Sequence, residues 1–330
     1  MRRYLLMSCV VASCALSGVR PATAAPQPPA ITVATASDNV AHPGSATEWW
    51  YVSVIDPATG ATFIAQQFTA PLPVTNSFFY AESGAKAHMT SSTTQPVTTS
   101  APSVCSNAMC LSYDAMRRAY HLVYAANGVT ADLWLDTIRP GITTKKPLAY
   151  DDQEMFWTVP VATSTVSGWA WPVGAPAPIS VDGWRGYHDH DWGSFDLGDQ
   201  RYTGWEWGIS HHPDGSAQLM GGVIGGDGRW QGVMAKVTPT ATTFCQSDSS
   251  VDPTALTLSA YSTHHGFDYP ETVRTKCSDG TPAAGPFTFA ATDPYLVNEI
   301  VFAFTESVGH TVPGSVALIE HFRTASHSGT

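Results

Sequence analysis

The run Gly186-Tyr187-His188-Asp189-His190-Asp191-Trp192-Gly193, with Gly204-Trp205-Glu206-Trp207 close behind, gathers two imidazoles, three carboxylates and three indoles into little more than twenty residues. Only 13% of the chain is charged, so this concentration of titratable groups beside large apolar rings suits proton chemistry on an oily substrate. Hydrating an isolated double bond needs an acid able to protonate carbon, a means of stabilising the resulting cation, and a positioned water. A carboxyl group held against indoles has a raised pKa and stays protonated. Aromatic faces stabilise a cation by about 0.5–2 kcal/mol each. Glu206 or Asp189 is therefore the expected proton donor. His190, with His188 two residues before it, is the expected group for orienting or activating water, and Trp192 and Trp205 are the expected walls around the cation.

Strand geometry constrains this reading, because successive side chains point to opposite faces. If the segments are extended, His188 and His190 share one face and Asp189 and Asp191 the other. Glu206 points away from Trp205 and Trp207, and its indole neighbours must come from elsewhere, with Trp50 and Trp192 as candidates. Tyr187, Trp207, Trp50 and Glu48 are expected to line the pocket. Glu48-Trp49-Trp50-Tyr51 reads equally well as a first core strand with Glu48 satisfied by backbone amides or an arginine. The alternative for the Asp-His cluster is a buried hydrogen-bond network that fixes a junction between two halves.

A pair of histidines spaced like His188 and His190 could chelate a metal with help from His211-His212 or His264-His265, but neither pair has a recognisable third-ligand motif, and no metal is expected. Nucleophilic and nucleotide chemistry are disfavoured too. Ser194 follows Gly193 without the second flanking glycine of a nucleophile elbow, and no Gly-rich phosphate loop precedes a helix.

Met1-Arg2-Arg3, the apolar run Tyr4 to Leu16 and Ala22-Thr23-Ala24 have the three parts of a secretory signal peptide spanning 1–24. The run is interrupted by serines and too short to span a bilayer. Val11-Ala12-Ser13-Cys14 also resembles a lipobox, which would make Cys14 a lipid anchor. Loss of Arg2, Arg3 and Arg20 leaves 13 basic against 27 acidic residues, a net charge of -14, which repels nucleic acid and anionic membranes. The remaining cysteines, Cys105, Cys110, Cys245 and Cys277, suggest two disulfides in an exported chain. Three connectivities are open, and nearness favours Cys105 with Cys110 and Cys245 with Cys277.

Short alternating runs punctuated by Gly, Pro, Asn and Asp predict an all-β protein. Hairpins are predicted at Glu48–Ile55 with Ala61–Thr69, at Tyr120–Tyr124 with Val129–Asp136, and at Tyr202–Ser210 with Ser216–Ile224, followed by a strand over Gly228–Val237. A helical turn or two is predicted only around Tyr150–Phe156. Ser91–Ser103 reads as an exposed loop, and the Pro-rich 172–182 stretch as a linker between β domains at 25–171 and 183–330.

His42-Pro43-Gly44-Ser45-Ala46-Thr47-Glu48-Trp49-Trp50-Tyr51, together with the 186–193 motif, looks like the carotenoid 1,2-hydratase (hydroxyneurosporene synthase) and AttH-like group with lipocalin-like domains. That group includes a secreted fungal isoflavonoid hydratase, kievitone hydratase, and resembles the decalin-forming Diels–Alderases. The resemblance implies two calycin-type antiparallel β-barrels over residues 38–323, no metal or organic cofactor, and an apolar pocket near the interface of the halves. In carotenoid hydratases a His-x-Trp element, here His190-Asp191-Trp192, lines the active site with a downstream acid; this chain has Asp191 where those enzymes carry Asn. Two functional classes follow. One is a cofactor-free enzyme that hydrates or cyclises a hydrophobic, unsaturated small molecule. The other is a lipocalin-like carrier that needs the barrel and aromatic lining but no clustered carboxylates. No nucleic-acid or nucleotide partner is expected.

Overall fold

The computed structural model describes residues 30–70, 73–82, 88–94, 96–97, 102–150, 153–196, 202–245, 254–264, 267–278, 286–298 and 302–324. The signal segment 1–24 and Cys14 lie outside them. The strands that build the site are β1 (Thr47–Ile55), β2 (Thr62–Ala70), β3 (Ala119–Ala126), β4 (Val129–Arg139), β5 (Gln153–Trp171), β6 (Arg185–Ser194), β7 (Tyr202–His211), β8 (Ala217–Gly225), β9 (Trp230–Val237) and β10 (Val316–Thr324).

All ladders described are antiparallel, and they form two curled half-barrel sheets of 15 and nine strands. The middle of the first runs β2-β1-β6-β5-β4-β3, and one side of the second runs β9-β8-β7-β10. The predicted hairpins form at the expected places. Asp56 Oδ1 accepts from the Ala58 amide at 3.0 Å, and Gly60 takes φ 76° to close β1–β2. Asn127 and Gly128, at φ 52° and 77°, turn β3 into β4, the positive-φ pair that suits tight hairpins.

Three sequence expectations are corrected. The Pro-rich 172–182 stretch does not join the two sheets. β6 follows it and pairs with both β5 and β1, so the stretch closes a connection within the first sheet, and the chain crosses to the second only after Ser194. Hydrogen bonding, not composition, sets the border. Tyr150 and Gln153–Phe156 are in strands, with Leu148–Tyr150 paired to the start of β5, and residues 151–152 lie outside the described residues. Ser91–Thr93 belongs to a strand, His88–Thr93, rather than to a loop. The described helical structure is one 3-10 turn, Ala36–Asp38.

Alternation along the strands produces three apolar clusters. Trp50, Val52, Val54, Phe63, Leu122 and Leu133 fill the curl of the first sheet. Met220, Met234, Phe287, Phe289 and Ile319 fill the second. Between the sheets, Trp49, Tyr51, Trp157, Tyr187, Trp205, Trp207 and Phe322 form a third cluster that joins them. Gly221 permits the close approach, since a Cβ there would stand 2.9 Å from the Trp157 ring.

Cys105 pairs with Cys110 and Cys245 with Cys277, as nearness suggested. The second bridge spans 32 residues, and a closed loop of that length stabilises the fold by about 3–4 kcal/mol through the unfolded chain. Substituting Cys245 and Cys277 by Ala is expected to lower the urea midpoint accordingly. An unchanged midpoint would mean that the bridge contributes no net stability.

Candidate active site between the sheets

β6 lies between β1 and β5, so each of its side chains faces one of two environments. Asp189 sits opposite Tyr51 of β1, and Asp191 opposite Trp49 and, across β5, Trp157. Tyr187, Asp189 and Asp191 point toward the second sheet. His188 and His190 point into the first sheet's curl, where His188 packs on Tyr120 and His190 on Trp50. The sequence motif is thus divided by its own strand geometry into two groups that do not share a site.

The group facing the second sheet borders a cavity of about 30 Å³, room for about one or two waters. Four carboxyl residues line it, Asp189, Asp191, Glu206 and Glu320, with Trp49, Trp157, Trp205, Trp207 and Tyr51. Asp189 Oδ2 accepts from Tyr187 Oη at 2.7 Å and from Trp157 Nε1 at 3.0 Å. Tyr187 Oη in turn accepts from Trp207 Nε1 at 2.8 Å. Two donors from the first sheet therefore fix Asp189 Oδ2, with Trp207 of the second sheet linked to it through Tyr187, whereas Oδ1 has no hydrogen-bond partner among the described residues. Glu320 accepts from Trp205 Nε1, and the Trp205 ring stacks on Phe322 with centroids 3.8 Å apart.

Burial raises both aspartates. It lifts Asp189 to about 7 against the hydrogen bonds from Tyr187 and Trp157. Asp191 is raised well above the ordinary range by burial and then by the negative charges of Asp189 and Glu320. Two carboxyls so placed cannot both ionise cheaply, and together they retain at least one proton near neutral pH. Tyr187 is also pushed up, by burial and by Asp189, so it remains a donor.

Glu206 has a different role from the one expected. It does point away from Trp205 and Trp207, but Trp50 and Trp192 do not flank it. Its Oε1 is 2.7 Å from His321 Nδ1 and 2.7 Å from Arg323 Nη2. Burial alone would raise its pKa, yet the charges of His321 and Arg323 hold it below the ordinary value. It is an ion-paired carboxylate and not an acid held protonated by indoles. Glu320 and Trp157 were not singled out from sequence, and Asp191 and Trp49 were noted in their motifs without a place in the site. Glu320 had a signal in Ala317-Leu318-Ile319-Glu320-His321-Phe322, one acid placed where alternation requires a core residue.

On the other face of β6, His190 Nε2 donates to Glu48 Oε1 at 3.1 Å, which also accepts the His42 amide at 2.6 Å. Thr69 Oγ1 donates to Glu48 Oε2 at 2.9 Å. His42, Glu48 and His190 bring three atoms of metal-ligating type within 4.8 Å of one another. Indoles clamp both rings, Trp192 against His42 at 3.8 Å and Trp50 against His190 at 4.0 Å. Burial lowers His190 to about 4, so it is neutral at pH 7. Burial would raise Glu48, but hydrogen bonds from His190 and His42 bring it down to about 2. A carboxyl with a folded pKa below its unfolded value stabilises the fold above about pH 4.5, and that stability is lost as pH falls toward 2. Glu48→Gln is therefore expected to flatten the melting temperature against pH between 5 and 2. A variant with the same acid slope as the parent would refute this assignment.

No protein-family model matches the chain, and no curated protein sequence matches it. Solved structures do. A crystal structure described as AttH from Nitrosomonas europaea aligns with a TM-score of 0.62 at 15% identity, over 93% of this chain and 99% of that one. Kievitone hydratase from Nectria haematococca aligns with a TM-score of 0.54 at 14% identity, over 89% of this chain and 93% of that one. At these identities the likeness is one of architecture, and the chain has the two-sheet, lipocalin-like fold of those two proteins.

Proposed function

We propose that the protein is an exported enzyme that adds water across a carbon–carbon double bond of an apolar small molecule such as a polyene, terpenoid, polyketide or isoflavonoid. The observation that carries the reading is the pair Asp189 and Asp191, buried and raised in pKa inside a cavity walled by four tryptophans. The likeness in fold to a hydratase supports it.

In this mechanism the aspartate pair gives its proton to an alkene carbon, so the carboxyl O–H bond breaks and a C–H bond forms. The cation left on the neighbouring carbon lies among the faces of Trp49, Trp157, Trp205 and Trp207. A water oxygen bonds to that carbon, and its proton returns to the aspartate pair. Alkene and water become alcohol with the acid regenerated. Hydrogen bonds to Asp189 from Tyr187 and Trp157 steady the conjugate base during the interval. The resting cavity has room for the water only, so substrate entry requires its lining side chains to move apart.

The test is mass spectrometry of a producing-strain extract incubated with the protein in ¹⁸O-labelled water, beside an Asp189→Asn, Asp191→Asn variant. A product carrying one labelled oxygen, absent with the variant, supports the hydratase. A product of unchanged mass and altered retention would replace it with a cyclase. A compound that co-purifies unaltered with both proteins would make it a carrier.

A further inference from the structure

A second cavity, about 720 Å³, opens at the end of the first sheet's curl. It is of the size that holds small organic ligands, and the site between the sheets does not include it. Its lining combines Arg117, Arg118 and Arg139 with Tyr113, Tyr120 and Pro160, and Pro239 reaches it from the second sheet. Such a gathering of guanidinium groups is unexpected in a chain of formal net charge -11 with 16 basic residues in all.

The charges within the cavity do not cancel. Arg117 is committed, since it makes a two-point pair with Asp136 at 2.7 and 2.6 Å and lies over the Trp134 ring. Arg118 and Arg139 make no ion pair or hydrogen bond with a described residue. Asp136, already taken by Arg117, is the one carboxylate among the described lining residues, which leaves the exposed Arg118 and the half-buried Arg139 at the cavity without a carboxylate of their own in its lining. The backbone is also held in a costly form there. Arg118 and Thr137 adopt φ 56° and 52°, and Thr137 lies within a register shift of β4 between Asp136 and Arg139. Positive φ is unfavourable for a β-branched or long side chain, and a bulge of this kind redirects the side chains beside it. Tyr120 is buried against Tyr113, their rings 5.0 Å apart, and its hydroxyl is engaged as an acceptor from Asn39 at 3.3 Å.

We infer that this cavity binds an organic monoanion with a flat apolar body, its carboxylate held by Arg118 and Arg139 and its body lying against Tyr113, Tyr120 and the prolines. The acidic surface elsewhere on the chain repels polyanions such as nucleic acid, which leaves a small, singly charged ligand as the chemistry that fits. Arginine's planar fork suits a carboxylate in particular. The inference is independent of the hydratase reading.

The test is calorimetric titration of the intact protein with 2-naphthoate and with its neutral counterpart, 2-naphthylmethanol. The naphthoate should bind at one site, at least about tenfold more tightly than the alcohol, as expected when charged hydrogen bonds are made. Arg118→Ala with Arg139→Ala should remove that tenfold preference. Neither side chain makes a hydrogen bond or ion pair with a described residue, so the variant should melt close to the parent. Restoring charge with Arg118→Lys and Arg139→Lys should recover part of the preference, and Asp189→Asn should leave naphthoate binding unchanged. Equal affinity for acid and alcohol, or naphthoate binding that survives the double alanine change or is lost in Asp189→Asn, would overturn the assignment.

Discussion

Asp189→Asn is expected to lower kcat by about 10² to 10⁴, the range contributed by a positioned general acid, while making the protein more stable above pH 7. The two effects share a cause. Asp189 has a folded pKa of about 7 against an ordinary value of 3.8 because burial penalises its charged form. Between those pH values the unfolded chain has released a proton that the folded chain retains, so stability falls as pH rises through that window and is lowest above 7. Asn cannot ionise, keeps an oxygen to accept from Tyr187 and Trp157, and removes the penalty, worth on the order of a few kcal/mol. Thermal unfolding of parent and variant at pH 5 and pH 8 checks this. The parent should lose more stability between the two than the variant, whose remaining loss comes from the buried Asp191. A variant that is both inactive and less stable at pH 8 would instead assign Asp189 a structural place in the network joining the sheets.

Glu206→Gln should behave in the opposite way. Glu206 is fully buried, ion-paired to Arg323 and in hydrogen-bond contact with His321, whose own pKa burial lowers. Removing one member of a buried pair leaves the other charge unpaired at a cost of about 3–5 kcal/mol. The variant should therefore unfold at markedly lower denaturant, yet under conditions where it is folded its kcat should remain close to the parent's. Urea unfolding and turnover measured on the same samples separate the outcomes. Full stability with lost turnover would return Glu206 to the role of proton donor.

These two carboxylates show what could be read from the sequence and what could not. Period-two alternation predicted the strands, the hairpins and the split of His188 and His190 from Asp189 and Asp191, because side-chain direction on a strand is a local property. It also predicted that Glu206 would turn away from its flanking indoles. The groups that Glu206 meets could not be read, since His321 and Arg323 lie more than a hundred residues away and reach it only through the β7–β10 register. The same limit applies to Trp157, which meets Asp189 through the β5–β6 pairing. The border between the sheets was misplaced because a Pro-rich stretch looks the same whether it links two sheets or turns within one. Composition identified the density of the site, and register decided which members act together.

The most direct test of the central claim is difference infrared spectroscopy of the carboxylic acid carbonyl stretch, which needs no knowledge of the substrate. Spectra of the parent taken from pH 5 to 9 are compared with those of Asp189→Asn and Asp191→Asn. A protonated carboxyl band is expected to persist at neutral pH, shift in heavy water, lose intensity as pH rises through about 7, and change in both variants. Carboxylate bands alone at pH 6, or a protonated band indifferent to both substitutions, would contradict it.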